Sequence, residues 1–236
     1  MTTTVVLPCF NPQDGWEKNV VLFYRSFTAH IKAPVDLVIV FDGPGKNVQP
    51  EQVKFLNDNI STLKTIPLKD NNGKGYALRK GIETSDTDLV IYTDVDFPYT
   101  MESVLNIYHA LENNDCDVAI GVKDHHYYEH LPRIRKIISK SLQFLIRLFI
   151  RIRISDTQCG LKGFKRNVTP IFLRTTINRY LFDLEFVRNC CMDKNLKVNA
   201  IPVTLNENVH FRKMNYRILF PEMMNFVKLL FSKQNK

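Results

Sequence analysis

Long apolar runs are missing from this chain. None of its uninterrupted apolar stretches approaches the roughly 20 residues that a membrane-spanning helix needs. The opening residues, MTTTVVLPCF, lead almost directly into a predicted strand, so we expect no signal peptide. The sequence therefore predicts a protein without a conventional transmembrane helix.

Cysteine is sparse, and it follows no disulfide or zinc-binding pattern. The chain has five cysteines, which is an odd number, and their spacing is irregular. Reduced thiols of this kind are typical of cytosolic proteins, so we expect a cytoplasmic location.

Linkers, repeats and low-complexity tracts are also missing. With 236 residues, of which 44% are hydrophobic, the chain can bury the core of one large α/β domain or of two small ones. Two common nucleotide motifs are absent as well, the P-loop and a Gly-x-Gly-x-x-Gly after the first predicted strand. Their absence argues against a P-loop enzyme and against a dinucleotide-dependent dehydrogenase.

Acidic residues are outnumbered by basic ones, and the excess gathers in the second half of the chain. The net charge is +8, which fits nucleic acid, an anionic membrane or a phosphorylated substrate as partner. The pattern over Arg133–Arg153 predicts a long apolar helix with a basic stripe about 60° wide, formed by Arg133, Lys136, Lys140, Arg147 and Arg151. Such a helix packs on the domain or lies at a bilayer surface.

Two further features of the sequence bear on which of these partners we expect: the C-terminal segment and the absence of nucleic-acid-binding motifs. The segment Ile218–Phe231 is strongly apolar but is broken by Glu222, Asn225 and Lys228. No helix-turn-helix and no RNA-binding aromatic signature is present, so we expect no nucleic-acid partner.

Predicted strands and helices alternate over residues 1–123. The strands are Val5–Leu7, Leu37–Phe41, Thr65–Leu68, Leu89–Thr93 and Val118–Val122. This alternation predicts an α/β fold with a mostly parallel, doubly wound sheet flanked by helices. We expect Asp156–Phe164 to form a loop and Lys197–Leu205 to form a further strand.

Polar residues follow four of these strands in turn, and in a parallel sheet they converge on one edge. They are Asn11, Asp42, Asn71–Lys74, and Asp94 with Asp96. The pair Asp94 and Asp96 ends the apolar run Leu89–Thr93, and its hard oxygen ligands suit Mg²⁺ or Mn²⁺ bridging to a diphosphate. Asp residues are also common in turns, which is the plainer interpretation of the pair.

Two further sites fit a nucleotide. Asp42 before Gly43 could accept hydrogen bonds from a base or a ribose, or it could simply begin a turn. The run Asn72-Gly73-Lys74-Gly75 is typical of a loop that grips phosphate at the start of a helix, because its glycines allow close backbone approach and Lys74 supplies charge.

These motifs, in this order, resemble family 2 glycosyltransferases, nucleotide-sugar enzymes of the GT-A fold. The resemblance runs from Val5 to about Asn208 and rests on four motifs: Val5–Asn11, Val40–Gly43, Asn72–Ala77 and Asp94–Asp96. Within the family, the second half is similar to dolichyl-phosphate β-glucosyltransferases and other polyprenyl-phosphate glycosyltransferases. That similarity rests on Gly121–Lys123, Arg135–Lys140, Asp156–Lys162 and Arg179–Glu185.

The resemblance implies a role for each matched residue. It assigns Pro8, Asn11, Asp42, Asn72, Lys74 and Asp94 to the nucleotide sugar, with the metal on Asp94 and Asp96. It assigns Lys123, with Arg135 or Lys140, to the acceptor phosphate. Asp183 aligns with the usual family base and Asp156 is the other candidate, although either could instead orient basic groups.

The resemblance predicts a metal-dependent, inverting glycosyltransferase. Its expected donor is a UDP- or GDP-linked sugar, and its expected acceptor is a polyprenyl phosphate. One alternative acceptor is a surface glycan or a lipid-linked oligosaccharide, and a further alternative is a non-catalytic protein that binds nucleotide or lipid. We expect a transferase domain at residues 1–210, an amphipathic helical tail at 211–236, and peripheral attachment to the cytoplasmic face of an anionic membrane.

Overall fold

The computed structural model describes residues 1–123, 133–150, 152, 154, 156–206 and 219–231. In these ranges the strands are β1 (Thr3–Cys9), β2 (Val35–Phe41), β3 (Leu63–Pro67), β4 (Leu89–Tyr92), β5 (Val118–Lys123), β6 (Lys162–Lys165) and β7 (Val198–Val203). The α-helices are α1 (Trp16–Ile31), α2 (Pro50–Asn59), α3 (Lys74–Ile82), α4 (Met101–Glu112), α5 (Arg133–Leu145), α6 (Thr169–Leu173), α7 (Phe182–Met192) and α8 (Leu219–Phe231). A π-helical segment, Ile146–Ile150, continues α5, and a short 3₁₀ turn, Arg166–Val168, precedes α6.

The strands form one sheet in the order β3-β2-β1-β4-β6-β5-β7. Neighbouring strands are parallel except at β6, which runs antiparallel to both β4 and β5. The predicted mostly parallel α/β sheet with flanking helices is therefore confirmed. The prediction that Asp156–Phe164 is entirely a loop is wrong, because its last residues belong to β6 in the middle of the sheet.

The core lies on both faces of the sheet, as the continuous apolar run of β2 predicts. Successive side chains of a strand point to opposite faces. Leu37 and Ile39 accordingly join one buried cluster, while Val38 and Val40 join the other. Helices α1, α2 and α4 cover the first cluster, and α3, α6, α7 and α8 cover the second.

Two glycines allow the chain to turn sharply in the loops that follow the carboxyl ends of β2 and β3. Gly43 and Gly73 have φ of 86° and 102°, in the left-handed region that favours glycine. A Cβ at Gly43 would lie 2.6 Å from the backbone nitrogen of Asn71. The loop after β2 therefore packs directly on the loop before α3.

Two helices on the second face keep part of their apolar surface exposed. The helix predicted over Arg133–Arg153 is present from Arg133 to Ile150, as α5 with its π-helical end, whereas Arg151 and Arg153 lie outside the described residues. Along this helix Ile146 is buried, while Phe144 and Phe149 are exposed. Helix α8 buries Phe226 and Leu229, and its exposed apolar side chains are Met223, Met224, Val227 and Phe231. No helix among the described residues has the length and apolar character that crossing a membrane requires. The boundary predicted near residue 210 borders on 207–218, which lie outside the described residues, and stays a prediction.

Candidate active site

A cleft of about 1410 Å³ opens at the edge of the sheet where the parallel strands end. Its walls come from the ends of β1, β2 and β4, from the start of α3, and from the segment before α7. Of the predicted site residues, it brings together Pro8, Asp42, Lys74, Asp94, Asp96, Lys123 and Asp183. The prediction that the polar loops after the strands converge on one edge is therefore confirmed for Asp42, Asn71, Lys74, Asp94 and Asp96.

Asp42 follows β2 and holds the loop before α3 in place. One carboxylate oxygen, Oδ1, accepts the backbone N–H of Asn72 at 2.8 Å, and Oδ2 accepts that of Gly73 at 2.9 Å. The residue is only 3% exposed. Its contacts therefore shape the Asn72–Gly75 loop, whereas its predicted contact with a nucleotide base stays a prediction.

Lys74 and Asp94 form an ion pair at the centre of the cleft. Nζ of Lys74 lies 2.5 Å from Oδ1 of Asp94. Burial acts to lower the pKa of Lys74, but the charges of Asp94 and Asp183 outweigh it, so the pKa is raised above its usual value. Lys74 is therefore a permanent cation at the start of α3, where a helix N-terminus also favours an anion.

Gly160 brings the chain close to this ion pair. A Cβ at residue 160 would collide with Oδ2 of Asp94 and lie 3.2 Å from Nζ of Lys74. The N–H of Gly160 donates to the Tyr99 hydroxyl at 2.9 Å. Burial raises the pKa of Tyr99 well above its usual value, so this hydroxyl stays protonated.

Asp96 is exposed at the rim of the cleft, two residues beyond Asp94. Among the described residues, no group of three or more His, Cys, Asp or Glu side chains could hold a metal ion. Two carboxylates are nevertheless a usual protein contribution to a Mg²⁺ site, in which substrate phosphates and waters supply the other ligands. Asp94 and Asp96 could hold such an ion.

Asp183 is part of a buried charged cluster. Its Oδ1 accepts a hydrogen bond from Nζ of Lys162 at 2.5 Å and another from the Tyr92 hydroxyl at 2.8 Å. Lys162 is fully buried on β6, and its Nζ also donates to the carbonyl of Cys159 at 2.5 Å. Burial and the charge of Asp183 raise the pKa of Tyr92, so its hydroxyl remains a donor.

Lys123 and Asp156 form a second pair at another part of the cleft. The N–H of Lys123 donates to Oδ2 of Asp156 at 2.8 Å, and its Nζ lies 3.8 Å from Oδ1. Asp156 therefore fixes both the backbone and the side chain of Lys123 at the end of β5. The side chain of Arg135 lies outside the described residues, and exposed Lys140 does not line the cleft.

Two residues that we predicted to bind the nucleotide sugar do not line the cleft. Asn11, with φ of 46°, accepts the N–H of Lys46 at 2.7 Å through its side chain, which fixes the loop after β1. Asn72 lines a smaller polar cavity of about 680 Å³, next to α8. Their assignment to the nucleotide sugar stays a prediction.

Sequence reasoning gave no role to Tyr92, Tyr99, Gly160 or Lys162. The two tyrosines carry no signal of their own, since each could equally be a core aromatic. Lys162 could have been noticed, because it ends the matched run Asp156–Lys162, and a lysine beside Gly163 and Phe164 is unusual in a buried strand.

Comparisons with known proteins agree with this arrangement. Residues 4–170 match the family described as "Glycosyl transferase family 2". The dolichyl-phosphate beta-glucosyltransferase of Dictyostelium discoideum is 25% identical over 197 residues, covering 78% of this chain and 60% of that protein. Glycosyltransferase AglD of Haloferax volcanii is 26% identical over 193 residues, covering 78% of this chain and 30% of that protein. The chain thus spans 60% or less of the length of these two relatives.

Solved structures share the fold. Glucosyl-3-phosphoglycerate synthase of Mycobacterium tuberculosis, in complex with Mn²⁺, UDP-glucose and phosphoglyceric acid, superposes with a TM-score of 0.65. The match covers 97% of this chain and 78% of that chain at 12% identity. The expected GT-A fold is confirmed.

Proposed function

Because the chain belongs to glycosyl transferase family 2, we propose that it moves a sugar from a nucleoside-diphosphate sugar to a polyprenyl phosphate with inversion. The observation that carries the proposal is the pairing of two charged sites in one cleft. Lys74, Asp94 and Asp96 suit a metal-bound diphosphate at one site, and Lys123 suits an acceptor phosphate at the other. The naming of several similar proteins as dolichyl-phosphate beta-glucosyltransferases supports the choice of acceptor.

The donor site suits a divalent cation and a diphosphate. Asp94 and Asp96 would hold Mg²⁺ or Mn²⁺, which, when bound, would offset charge on the departing nucleotide diphosphate as a Lewis acid. Lys74 adds a fixed positive charge at the N-terminus of α3. Asp42 holds the backbone of Asn72 and Gly73, and so it would position Lys74 and the start of α3 beside the diphosphate oxygens.

The acceptor site needs no strong base. A phosphate monoester is already anionic near neutral pH, so its oxygen can attack the sugar C1 while the bond from C1 to the diphosphate breaks. Oδ1 of Asp183 already accepts two hydrogen bonds. We therefore assign Asp183 and Asp156 to orienting Lys162 and Lys123, and we assign the phosphate contact to Lys123.

A lipid acceptor places the enzyme at a bilayer, and two helices on one face of the molecule are suited to this. The π-helical end of α5 exposes Leu148 and Phe149 beside Arg147, and α8 exposes Met223 and Val227. Apolar side chains next to basic ones are typical of helices that lie in the interface of an anionic membrane. We propose peripheral attachment to the cytoplasmic face.

A donor screen tests the proposal. Release of UDP or GDP from a panel of nucleotide sugars would be measured with Mn²⁺, with and without a short-chain polyprenyl phosphate. We expect one donor to be turned over only when the polyprenyl phosphate is present. Turnover that responds to an oligosaccharide acceptor instead would favour the glycan alternative, and no turnover of any donor would contradict a transferase.

Lys123→Ala tests the acceptor site in the same assay. We expect it to raise the acceptor KM or lower kcat by about tenfold or more, because a charge-assisted phosphate contact contributes about 1.5–3 kcal/mol. Affinity for the nucleotide, measured by calorimetry, should change little. Lys165→Ala is the matched control, since Lys165 is also paired with an aspartate but does not line the cleft. An equal loss of nucleotide affinity would move Lys123 to the donor side.

A further inference from the structure

Helix α7 begins without a side-chain cap of its own. Its N-cap is Leu181, which has no side-chain acceptor, and no cap hydrogen bond forms there. The first N–H groups of a helix need partners from elsewhere. Glu185, in the first turn, does not cap the helix, because its carboxylate accepts the N–H groups of Thr176 and Ile177 at 2.9 and 2.8 Å.

Glu222 of α8 accepts the backbone N–H of the N-cap residue. Its Oε2 accepts the N–H of Leu181 at 2.9 Å, and the residue is only 9% exposed. In a capping box, a glutamate of the helix's own first turn binds the N-cap N–H. Here the glutamate comes from a different helix, 41 residues further along the chain.

The capped segment is a wall of the cleft. Arg179, Tyr180, Phe182 and Asp183 all line it. The same stretch also supports the donor loop, because the carbonyl of Asn178 accepts the N–H of Gly75 at 2.7 Å. A shift of the segment would therefore move Asp183 and disturb the backbone next to Lys74.

Glu222 lies directly before the exposed face of α8. Met223 and Met224 are 58% and 47% exposed, whereas Phe226 and Leu229 anchor the helix to the core. Helix α8 thus contributes both to the surface that we assign to the bilayer and to the support of the cleft wall.

We propose that Glu222 is a positioning residue, which caps α7 from α8 and so holds the cleft wall Arg179–Asp183 in place only while α8 is docked. The effect on sugar transfer rests on the proposed function, but the capping itself does not. The partner involved is a segment of this chain, so the capping can be measured without knowing the donor.

The test compares Glu222→Ala with Glu222→Gln by hydrogen–deuterium exchange. Gln keeps an oxygen that can accept the Leu181 N–H, whereas Ala removes it. We expect exchange of the amides at 181–185 to accelerate about fivefold in the Ala variant, in line with the loss of a helix cap, and to stay near wild type in the Gln variant. Exchange in β1, β2 and β4 should not change, which shows that the fold is intact. Glu112→Ala, on α4, is a control that should leave 181–185 unaffected.

A second variant in the exchange experiment loosens the packing of α8 while leaving the Glu222 carboxylate in place. Leu229→Ala removes a buried anchor of α8 and should accelerate the same amides, because the cap depends on docking. In the donor assay, Glu222→Ala should lower kcat/KM about fivefold or more, and Glu222→Gln should restore it.

The outcomes separate this proposal from the proposed function. Wild-type exchange at 181–185 in Glu222→Ala would overturn the positioning role, and so would equal acceleration in the Gln variant or in Glu112→Ala. If no donor is turned over even by the wild type, the transferase proposal fails, while the exchange data still decide whether Glu222 positions the wall.

Discussion

The aspartates of the cleft have different partners, and the partners separate their roles. Asp42 is occupied by two backbone N–H groups, and Asp183 by Lys162 and Tyr92. Asp94 pairs with Lys74 but is still 39% exposed, and Asp96 is exposed at the rim. Of these four aspartates in the described cleft, Asp94 and Asp96 are therefore the ones whose exposure suits an ion that bridges to a diphosphate.

Asp96→Ala should remove metal-dependent nucleotide binding and leave the fold intact. We expect the affinity for UDP or GDP in the presence of Mn²⁺, measured by calorimetry, to fall by at least about tenfold, since a bound metal contributes several kcal/mol of charge stabilisation. Asp58→Ala, which changes an exposed aspartate on α2, is the control. A variant that binds nucleotide as tightly as the wild type, and loses it equally on EDTA treatment, would rule out Asp96 as a ligand.

The ionisation of Glu222 should make the free energy of unfolding depend on pH. Burial raises its pKa, against the opposing effect of the Leu181 N–H, so the folded protein retains this proton to higher pH than the unfolded chain, which ionises near 4.3. The contribution of Glu222 to stability is therefore greatest below about pH 4.3 and falls as pH rises through the folded pKa.

Glu222→Gln removes this proton equilibrium. The free energy of unfolding of the variant minus that of the wild type should rise with pH above about 4.3 and then level off. Denaturant titrations between pH 4 and pH 8 would measure it. A difference that falls as pH rises would mean that the pKa of Glu222 is lowered, not raised, in the folded protein.

At the scale of the elements, strands β1, β2, β4 and β5 and the loops that follow them could be predicted from the sequence, because each of these strands contains an apolar run that ends in a turn. Strand β6 could not. Its residues Lys-Gly-Phe-Lys show neither an apolar run nor alternation, and only the pairing with β4 and β5 makes them a strand.

The same limit applies to the site. Asp42, Lys74, Asp94 and Asp96 follow predicted strands, so their convergence could be anticipated. The contacts of Lys162 with Asp183 and of Glu222 with Leu181 join parts of the chain that are 21 and 41 residues apart. No local pattern encodes such contacts, because they depend on how whole elements pack.

The Lys162–Asp183 pair should tie β6 to α7. Lys162→Met or Asp183→Asn alone leaves a buried charge without its opposite charge, and breaking a buried pair in this way costs about 3–5 kcal/mol. The double variant should lose less than the sum of the two, which a double-mutant cycle by denaturant unfolding would show. Lys80→Met, which breaks an exposed pair with Glu83, should change the midpoint little. Additive losses would mean that the two side chains do not interact.

At the scale of the whole molecule, the chain is basic and its exposed apolar side chains are unevenly distributed between the two faces of the sheet. The chain carries a net charge of +8. The exposed apolar residues of α5, its π-helical end and α8 belong to helices that pack on the second face of the sheet. On the first face, α1 exposes Leu22 and α2 exposes Phe55, which are fewer apolar side chains than α5 and α8 expose. This asymmetry predicts which face meets a bilayer.

The protein should co-sediment with anionic liposomes at low salt and be released as salt rises, because screening weakens the attraction between basic residues and lipid. Neutral liposomes should bind it less. The double variant Phe144→Ser/Phe149→Ser should lower the partition coefficient onto the liposomes about tenfold or more, since each fully buried aromatic contributes about 1.5–3 kcal/mol. Phe55→Ser is the matched control and should bind like the wild type. If the wild-type protein stays in the supernatant with anionic liposomes at low salt, peripheral attachment is wrong, and the glycan acceptor becomes the better assignment.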